Sequence, residues 1–267
     1  MSSIIADVKG PPPTPTGSLP RLPVIEICVE GVDGLVSAQE GGADRVELCA
    51  SLIEGGLTPS IGTVKQALRV ATVPFYTIIR PRGGDFLYSA LEMASMLDDV
   101  ETLSSLGAPG VVIGCLTAEG DIDEARMSAL VAKAGTMQVT CHRAFDMTRD
   151  PYAALEALIR VGVHRVLTSG QRDTAMEGAE LLAKLVEQAG DRIIVMGCGK
   201  LDPQTIGEVR RRAHLEEMHF SAPGETASGM IYRNPHVGMG GTALDREYRH
   251  TITRTDLVRE TISAARA

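Results

Sequence analysis

Residues 40–47 read Glu40-Gly41-Gly42-Ala43-Asp44-Arg45-Val46-Glu47. A glycine closes a helical stretch here, since a residue without a Cβ fits the last turn easily, and the chain enters a strand-forming run two or three residues later. The same step recurs in Leu106-Gly107-Ala108-Pro109-Gly110-Val111-Val112 and in Val161-Gly162-Val163-His164-Arg165-Val166-Leu167. Similar units used repeatedly imply a β-then-α repeat. Outward from these stretches, apolar β-branched runs predict strands at residues 24–29, 45–49, 73–79, 110–115, 137–143, 164–168, 192–196 and 217–220. Amphipathic segments between them, such as 89–106, 151–161 and 175–189, read as helices. Thr58-Pro59, Asp150-Pro151 and Asp202-Pro203 each place a capping residue before a proline at the first helical position. Eight such units predict an α/β fold, a single (β/α)8 TIM-type parallel barrel. A doubly wound open sheet is the competing architecture. It is disfavoured because no Gly-x-Gly-x-x-Gly follows the first strand and no Walker-type lysine loop is present.

The length of 267 residues suits one α/β barrel. Aromatic residues make up only 3% and tryptophan is absent, so Val, Ile, Leu and Ala must build the core. The net charge of -8 argues against a nucleic acid or an anionic membrane as the main partner, and any anion must be met by local positive charge. Residues 1–23 carry Pro11-Pro12-Pro13, Pro15, Pro20 and Pro23 among small polar residues. They are expected to form a disordered or loosely attached tail, with the barrel occupying 24–267. No apolar stretch in the tail resembles a signal peptide, and no segment reaches the ~18 to 20 apolar residues of a membrane span. Five cysteines, an odd number, fit a reducing cytosolic setting better than a disulfide framework.

In such a barrel the C-terminal strand ends form the functional face. The first two strands share a pattern, Glu26-Ile27-Cys28 and Glu47-Leu48-Cys49. With Ile25, Ile27, Val46 and Leu48 toward the helices, Glu26, Cys28, Glu47 and Cys49 point inward. Strand five ends in Thr140-Cys141-His142-Arg143, strand six in Thr168-Ser169-Gly170-Gln171, strand seven in Gly197-Cys198-Gly199, and strand eight carries His219. After strand three, Arg80-Pro81-Arg82-Gly83-Gly84-Asp85-Phe86 places two arginines two residues apart, and hence on one face if strand geometry persists. Such a pair suits a carboxylate or phosphate, or else neutralises buried glutamates. Glu26, Glu47, Arg80, Arg82, His142 and His219 are therefore candidate catalytic residues, with Glu47 or His142 as general base. Arg80, Arg82, Asp85, Arg143 and Ser169 are candidates for holding the substrate.

Two thiols on adjacent strands, ~4.8 Å apart in the ladder direction, can meet a soft ion such as Cu(I) that accepts few ligands. Cys28 and Cys49 are the candidate pair, although unpaired cysteine also packs as a small hydrophobe. Zinc is disfavoured, because no Cys-x-x-Cys and no close His-x-x-x-His occurs. Residues 222–253 read as a long structureless loop after strand eight, holding Met230-Ile231-Tyr232-Arg233-Asn234 and Val237-Gly238-Met239-Gly240-Gly241. A loop of that length implies a lid or an oligomer contact, or else a mobile insertion.

Val24-Ile25-Glu26-Ile27-Cys28-Val29, the run from Gln39 to Cys49, Glu54-Gly55-Gly56-Leu57-Thr58-Pro59-Ser60, the run from Ile79 to Phe86, His142-Arg143-Ala144-Phe145-Asp146, Leu167-Thr168-Ser169-Gly170-Gln171 and Tyr232-Arg233-Asn234 together carry a resemblance. The chain resembles the copper homeostasis protein CutC family from Val24 to its end. The resemblance implies a (β/α)8 barrel, a cytoplasmic location, a homo-oligomer and copper handling, with Cu(I) on cysteines of the first two strands, positions held by Cys28 and Cys49. The arginines and histidines exceed what a metal carrier needs. They keep a second expectation open, a lyase or isomerase acting on a small anionic metabolite. The chain departs from the family in Met196-Gly197-Cys198-Gly199-Lys200 after strand seven and in Phe220 after His219, which counts against a phosphate nest there.

Overall fold

The protein is seen in a computed structural model that describes residues 22–239 and 247–267. Eight parallel strands close into a barrel in chain order: β1 (Val24–Glu30), β2 (Arg45–Cys49), β3 (Phe75–Ile78), β4 (Gly110–Ile113), β5 (Gln138–Cys141), β6 (Arg165–Thr168), β7 (Ile194–Gly197) and β8 (Glu217–Phe220). The helices outside it are α1 (Gly31–Glu40), α2 (Ile61–Val70), α3 (Ala90–Ser105), α4 (Glu124–Ala134), α5 (Pro151–Val161), α6 (Ala179–Ala189), α7 (Ile206–Ala213) and α8 (Thr255–Arg266). This is the expected (β/α)8 barrel. No described helix is long and apolar enough to cross a membrane.

Local chemistry explains where the elements start and stop. β3 begins at Phe75 rather than Val73 because Pro74 has no N–H for the ladder; its carbonyl only accepts the Val46 N–H, at 3.1 Å. β5 ends at Cys141, and Arg143 enters a short 3-10 turn, Arg143–Met147, whose Ala144 N–H is accepted by His142 Nδ1 at 3.2 Å. Asp150 caps α5 as expected, accepting from the Tyr152 and Ala153 amides. Thr58 does not cap α2. Ser60 does, accepting from Thr63 at 3.2 Å, while the Thr58 hydroxyl accepts the Arg80 N–H at 2.8 Å. Asp202 holds the turn ahead of α7 through the Gln204 and Thr205 amides, four residues before the helix starts.

The period of two sorts the strands as expected. Ile25, Ile27, Val46 and Leu48 are fully buried in the main core between barrel and helices. Inside the barrel, Cys49 packs with Tyr76, Ile78 and Val112, and Cys198 packs with Leu167 and Met196.

The segment after β8 differs from its reading as structureless. β9 (Pro223–Ala227) pairs antiparallel with β10 (Arg249–Thr253), with Thr253 opposite Pro223 and Arg249 opposite Ala227, so the two ends of the excursion form a ribbon. Ile231 and Tyr232 between them are exposed. The expectation for residues 1–21 lies outside the described residues, as does the part of the long-loop reading that falls on 240–246.

Candidate functional site

Alternate residues of three neighbouring strands rise through the barrel interior toward its C-terminal end. β1 contributes Glu26 and Cys28, β2 contributes Arg45, Glu47 and Cys49, and β8 contributes Glu217 and His219. The ladders set Cys28 level with Glu47 and Glu26 level with His219. Lowest lies a charge network: Arg45 pairs with both Glu26 and Glu217, and Arg165 of β6 donates to Glu217 at 3.1 Å. Both guanidinium groups lie over the Tyr76 ring, at 5.1 and 5.3 Å. Buried charge persists only when paired and hydrogen-bonded, and here each carboxylate meets a guanidinium.

Above this network, His219 Nδ1 donates to Glu26 Oε1 at 2.8 Å, and Nε2 lies 3.7 Å from Glu47 Oε2. Ligand atoms of Cys28, Glu47 and His219 all lie within 4.8 Å of one another. Cys49 Sγ is 3.8 Å from Cys28 Sγ, and neither thiol is in a disulfide.

The neighbours decide the charges. A hydrogen bond from the Cys49 thiol, opposed by burial and helped by His219, lowers the Cys28 thiol to about 5. The same bond, with burial and the Cys28 charge, pushes Cys49 well up. Burial and the Cys28 charge raise Glu47 well above the usual carboxylate range. Burial works to raise Glu26, but the Arg45 charge and the His219 bond hold it at about 2. Burial works to lower His219, yet its bonds to Cys28 and Glu26 raise it well above an ordinary histidine. The surroundings therefore favour the charged forms of Cys28, His219 and Glu26 and the neutral forms of Glu47 and Cys49. A thiolate beside a thiol is a soft ligand pair, and a thiolate beside an imidazolium is a nucleophile.

The sequence profile of the CutC family matches residues 23–224, most of the chain. The chain belongs to the CutC family. A family protein CutC of Mesorhizobium japonicum is 67% identical over 247 residues, spanning 92% of this chain and 96% of its own length. The human copper homeostasis protein cutC homolog is 43% identical over 236 residues, spanning 88% and 86% of the two chains. The crystal structure of the putative copper homeostasis protein CutC from Streptococcus agalactiae superposes with a TM-score of 0.70 at 29% identity, over 74% of this chain and 97% of that one.

In this CutC-family barrel the remaining candidate residues stand apart from the thiol cluster. Arg80 and Arg82 do not share a face, because β3 ends at Ile78 and Pro81 turns the chain. Arg80 is buried; its Nη1 donates to the Glu54 and Gly56 carbonyls and its Nη2 to the Gly84 carbonyl, with the guanidinium 5.1 Å over Phe86. Arg82 turns outward to Glu92 at 2.7 Å and Asp85 at 3.1 Å, lying over Tyr88. Asp85 accepts from Arg82 and the Leu87 amide, so it closes this loop. His142 lies against Phe86, ring centroids 5.0 Å apart. Burial and the Arg80 charge lower it to about 3, and its Nε2 has no hydrogen-bond partner. With Nδ1 already accepting from Ala144, it is poorly placed as a general base.

Arg143 and Ser169 form a third group around Asp146, which accepts from Arg143 Nε at 2.7 Å, from the Ser169 amide and hydroxyl, and from the Thr168 hydroxyl. Asp146 thus ties the loop after β5 to the loop after β6. Sequence reasoning missed Arg45, Arg165 and Glu217, although Arg45 and Glu217 each precede an inward residue by two and so share its face. Three non-glycine residues with left-handed backbone, Ser51, Gln171 and Lys200, follow β2, β6 and β7 at this same end, where strain collects around functional sites. A cavity of about 680 Å³ at the opposite end, lined by Gln138, His164 and Arg192, contains none of the thiol cluster.

Proposed function

We propose that this CutC-family chain binds Cu(I) through Cys28 and Cys49 and serves copper homeostasis. The observation that carries the reading is the 3.8 Å separation of the two sulfurs on adjacent strands. A soft ion that accepts few ligands suits a sulfur pair at that spacing, and Cys28 is already deprotonated near neutral pH. Cys49 gives up its proton on loading, while Glu47 and His219 stand within reach as further donors. The name borne by the human relative, copper homeostasis protein, agrees with this reading. It extends to a cytoplasmic location, where reduced thiols persist. Anaerobic titration with Cu(I) against a chromophoric chelator is expected to give about one ion per chain. The double variant Cys28→Ser, Cys49→Ser is expected to bind none, and undiminished binding in it overturns the assignment.

A second reading has its own observation in its favour: Glu47, whose carboxyl is raised well above the usual range by burial and the Cys28 charge, and His219 lie beside the Cys28 thiol. On this reading the barrel is a lyase or isomerase acting on a small anionic substrate, with Glu47 as the proton donor. Arg80, Arg82 and His142 keep the loops in place. An anionic metabolite that copurifies with the wild-type chain and is absent from Glu47→Gln supports it; no such compound in the wild type counts against it.

A further inference from the structure

Cys28 and His219 line a cavity of about 550 Å³ at the C-terminal end of the barrel. Two cations line it as well, Arg143 and Lys200. Arg143 is fixed by Asp146 and by the Ser169 hydroxyl, each at 2.7 Å. Lys200 is exposed and makes no hydrogen bond or ion pair among the described residues. Its backbone φ of 52° lies in the left-handed region, which disfavours a residue with a Cβ. Gly199 before it has a φ of 107°, and a Cβ there would meet the Ser169 Cβ at 2.8 Å. The turn after β7 therefore presents an unpaired ammonium at the cavity edge at some conformational cost.

The acid on the same wall is engaged elsewhere. Asp202 Oδ1 accepts from the Gln204 amide at 3.0 Å, the Thr205 amide at 2.9 Å and the Thr205 hydroxyl at 2.7 Å. The Cys198 N–H is bonded to the Thr168 carbonyl at 2.9 Å, so the first amide past β7 is not open to a ligand. Leu201 and Phe220 supply apolar wall on which an organic molecule can bury its body.

We propose that this cavity binds a small organic carboxylate, its anionic end against Lys200 and Arg143 and its body reaching Cys28 and His219. The inference deepens the enzymatic reading of the site and is independent of copper.

Iodoacetate and iodoacetamide form a matched pair of probes, since each alkylates a thiolate with loss of iodide and only the first carries a carboxylate. Rates at Cys28, followed by peptide mass mapping on the full copper-free chain, give the ratio of anionic to neutral reagent. That ratio is expected to exceed the ratio for free cysteine in the same buffer by about threefold to tenfold. Lys200→Glu, a surface change outside any packed element, is expected to bring it to the free-cysteine value or below, with the iodoacetamide rate reporting that the thiol is still in place. A wild-type ratio equal to that of free cysteine, or a ratio unchanged by Lys200→Glu, overturns the proposal. Neither turnover nor metal enters the measurement, so its failure is distinguishable from failure of either functional reading.

Discussion

His219 Nδ1 donates to Glu26 Oε1 at 2.8 Å, and that bond turns the other ring nitrogen toward Glu47 and the Cys28 thiol. The carboxylate favours the imidazolium, and the imidazolium in turn favours the thiolate. Glu26→Gln removes the anion from this chain of effects. The midpoint of Cys28 alkylation by iodoacetamide, expected at about 5 in the wild type from the surroundings of the thiol, should rise by about one pH unit or more. Because Arg45 also loses one of its two buried partners, urea unfolding should show a loss of about 3 to 5 kcal/mol. An unmoved alkylation midpoint would mean that His219 does not set the thiol.

Cys49 makes the largest contribution to lowering Cys28, through its S–H donor. Cys49→Ala removes that donor and leaves the His219 contact in place. A hydrogen bond to a charged group contributes about 1.5 to 3 kcal/mol, equivalent to about one to two pH units. The pH-rate profile at Cys28 should therefore shift upward by that amount. The same substitution should abolish tight Cu(I) binding, whereas Cys115→Ala, which alters a thiol in the core between barrel and helices, should not.

The inward set Glu26, Cys28, Glu47 and Cys49 was legible because strand side chains alternate strictly and the apolar partners in each strand marked the other face. The same rule applied to the strand beginnings would have reached Arg45 and Glu217. Both lie at strand beginnings, away from the C-terminal ends where a barrel's chemistry is expected. The arginine clamp was misread for a different reason. A spacing of two implies a shared face only while the strand continues, and the carbonyls of Glu54, Gly56 and Gly84 that hold Arg80 come together only in three dimensions. The ribbon of β9 and β10 was illegible because its pairs, such as Glu225 with Thr251, are distant in sequence and its residues are largely exposed, so no apolar period marks it.

Arg80 therefore makes a stability prediction rather than a binding one. Its side chain is buried and donates to three loop carbonyls. Arg80→Ala should lower stability by about 3 kcal/mol or more, and Arg80→Lys should recover only part of it, since an ammonium lacks the planar fork. Arg82→Ala should cost much less, because its carboxylate partners lie nearer solvent. Equal effects of Arg80→Ala and Arg82→Ala in urea unfolding would contradict this assignment.

His142 makes a prediction about acid. Burial and the Arg80 charge lower it to about 3, while in the unfolded chain it titrates near ~6.5. Between those values the unfolded chain takes up a proton that the folded chain refuses, so the folded state loses stability as pH falls from ~6.5 toward the folded value. His142→Asn retains an acceptor for the Ala144 N–H and cannot titrate. The variant will be less stable at neutral pH, since the contact with Phe86 is lost. Its decline in unfolding free energy between pH 6 and 4 should nevertheless be shallower than that of the wild type by about 1 kcal/mol per pH unit. Parallel declines in the two proteins would show that His142 is protonated in the folded state, and the proton would then need an acceptor at Nε2, where none stands among the described residues.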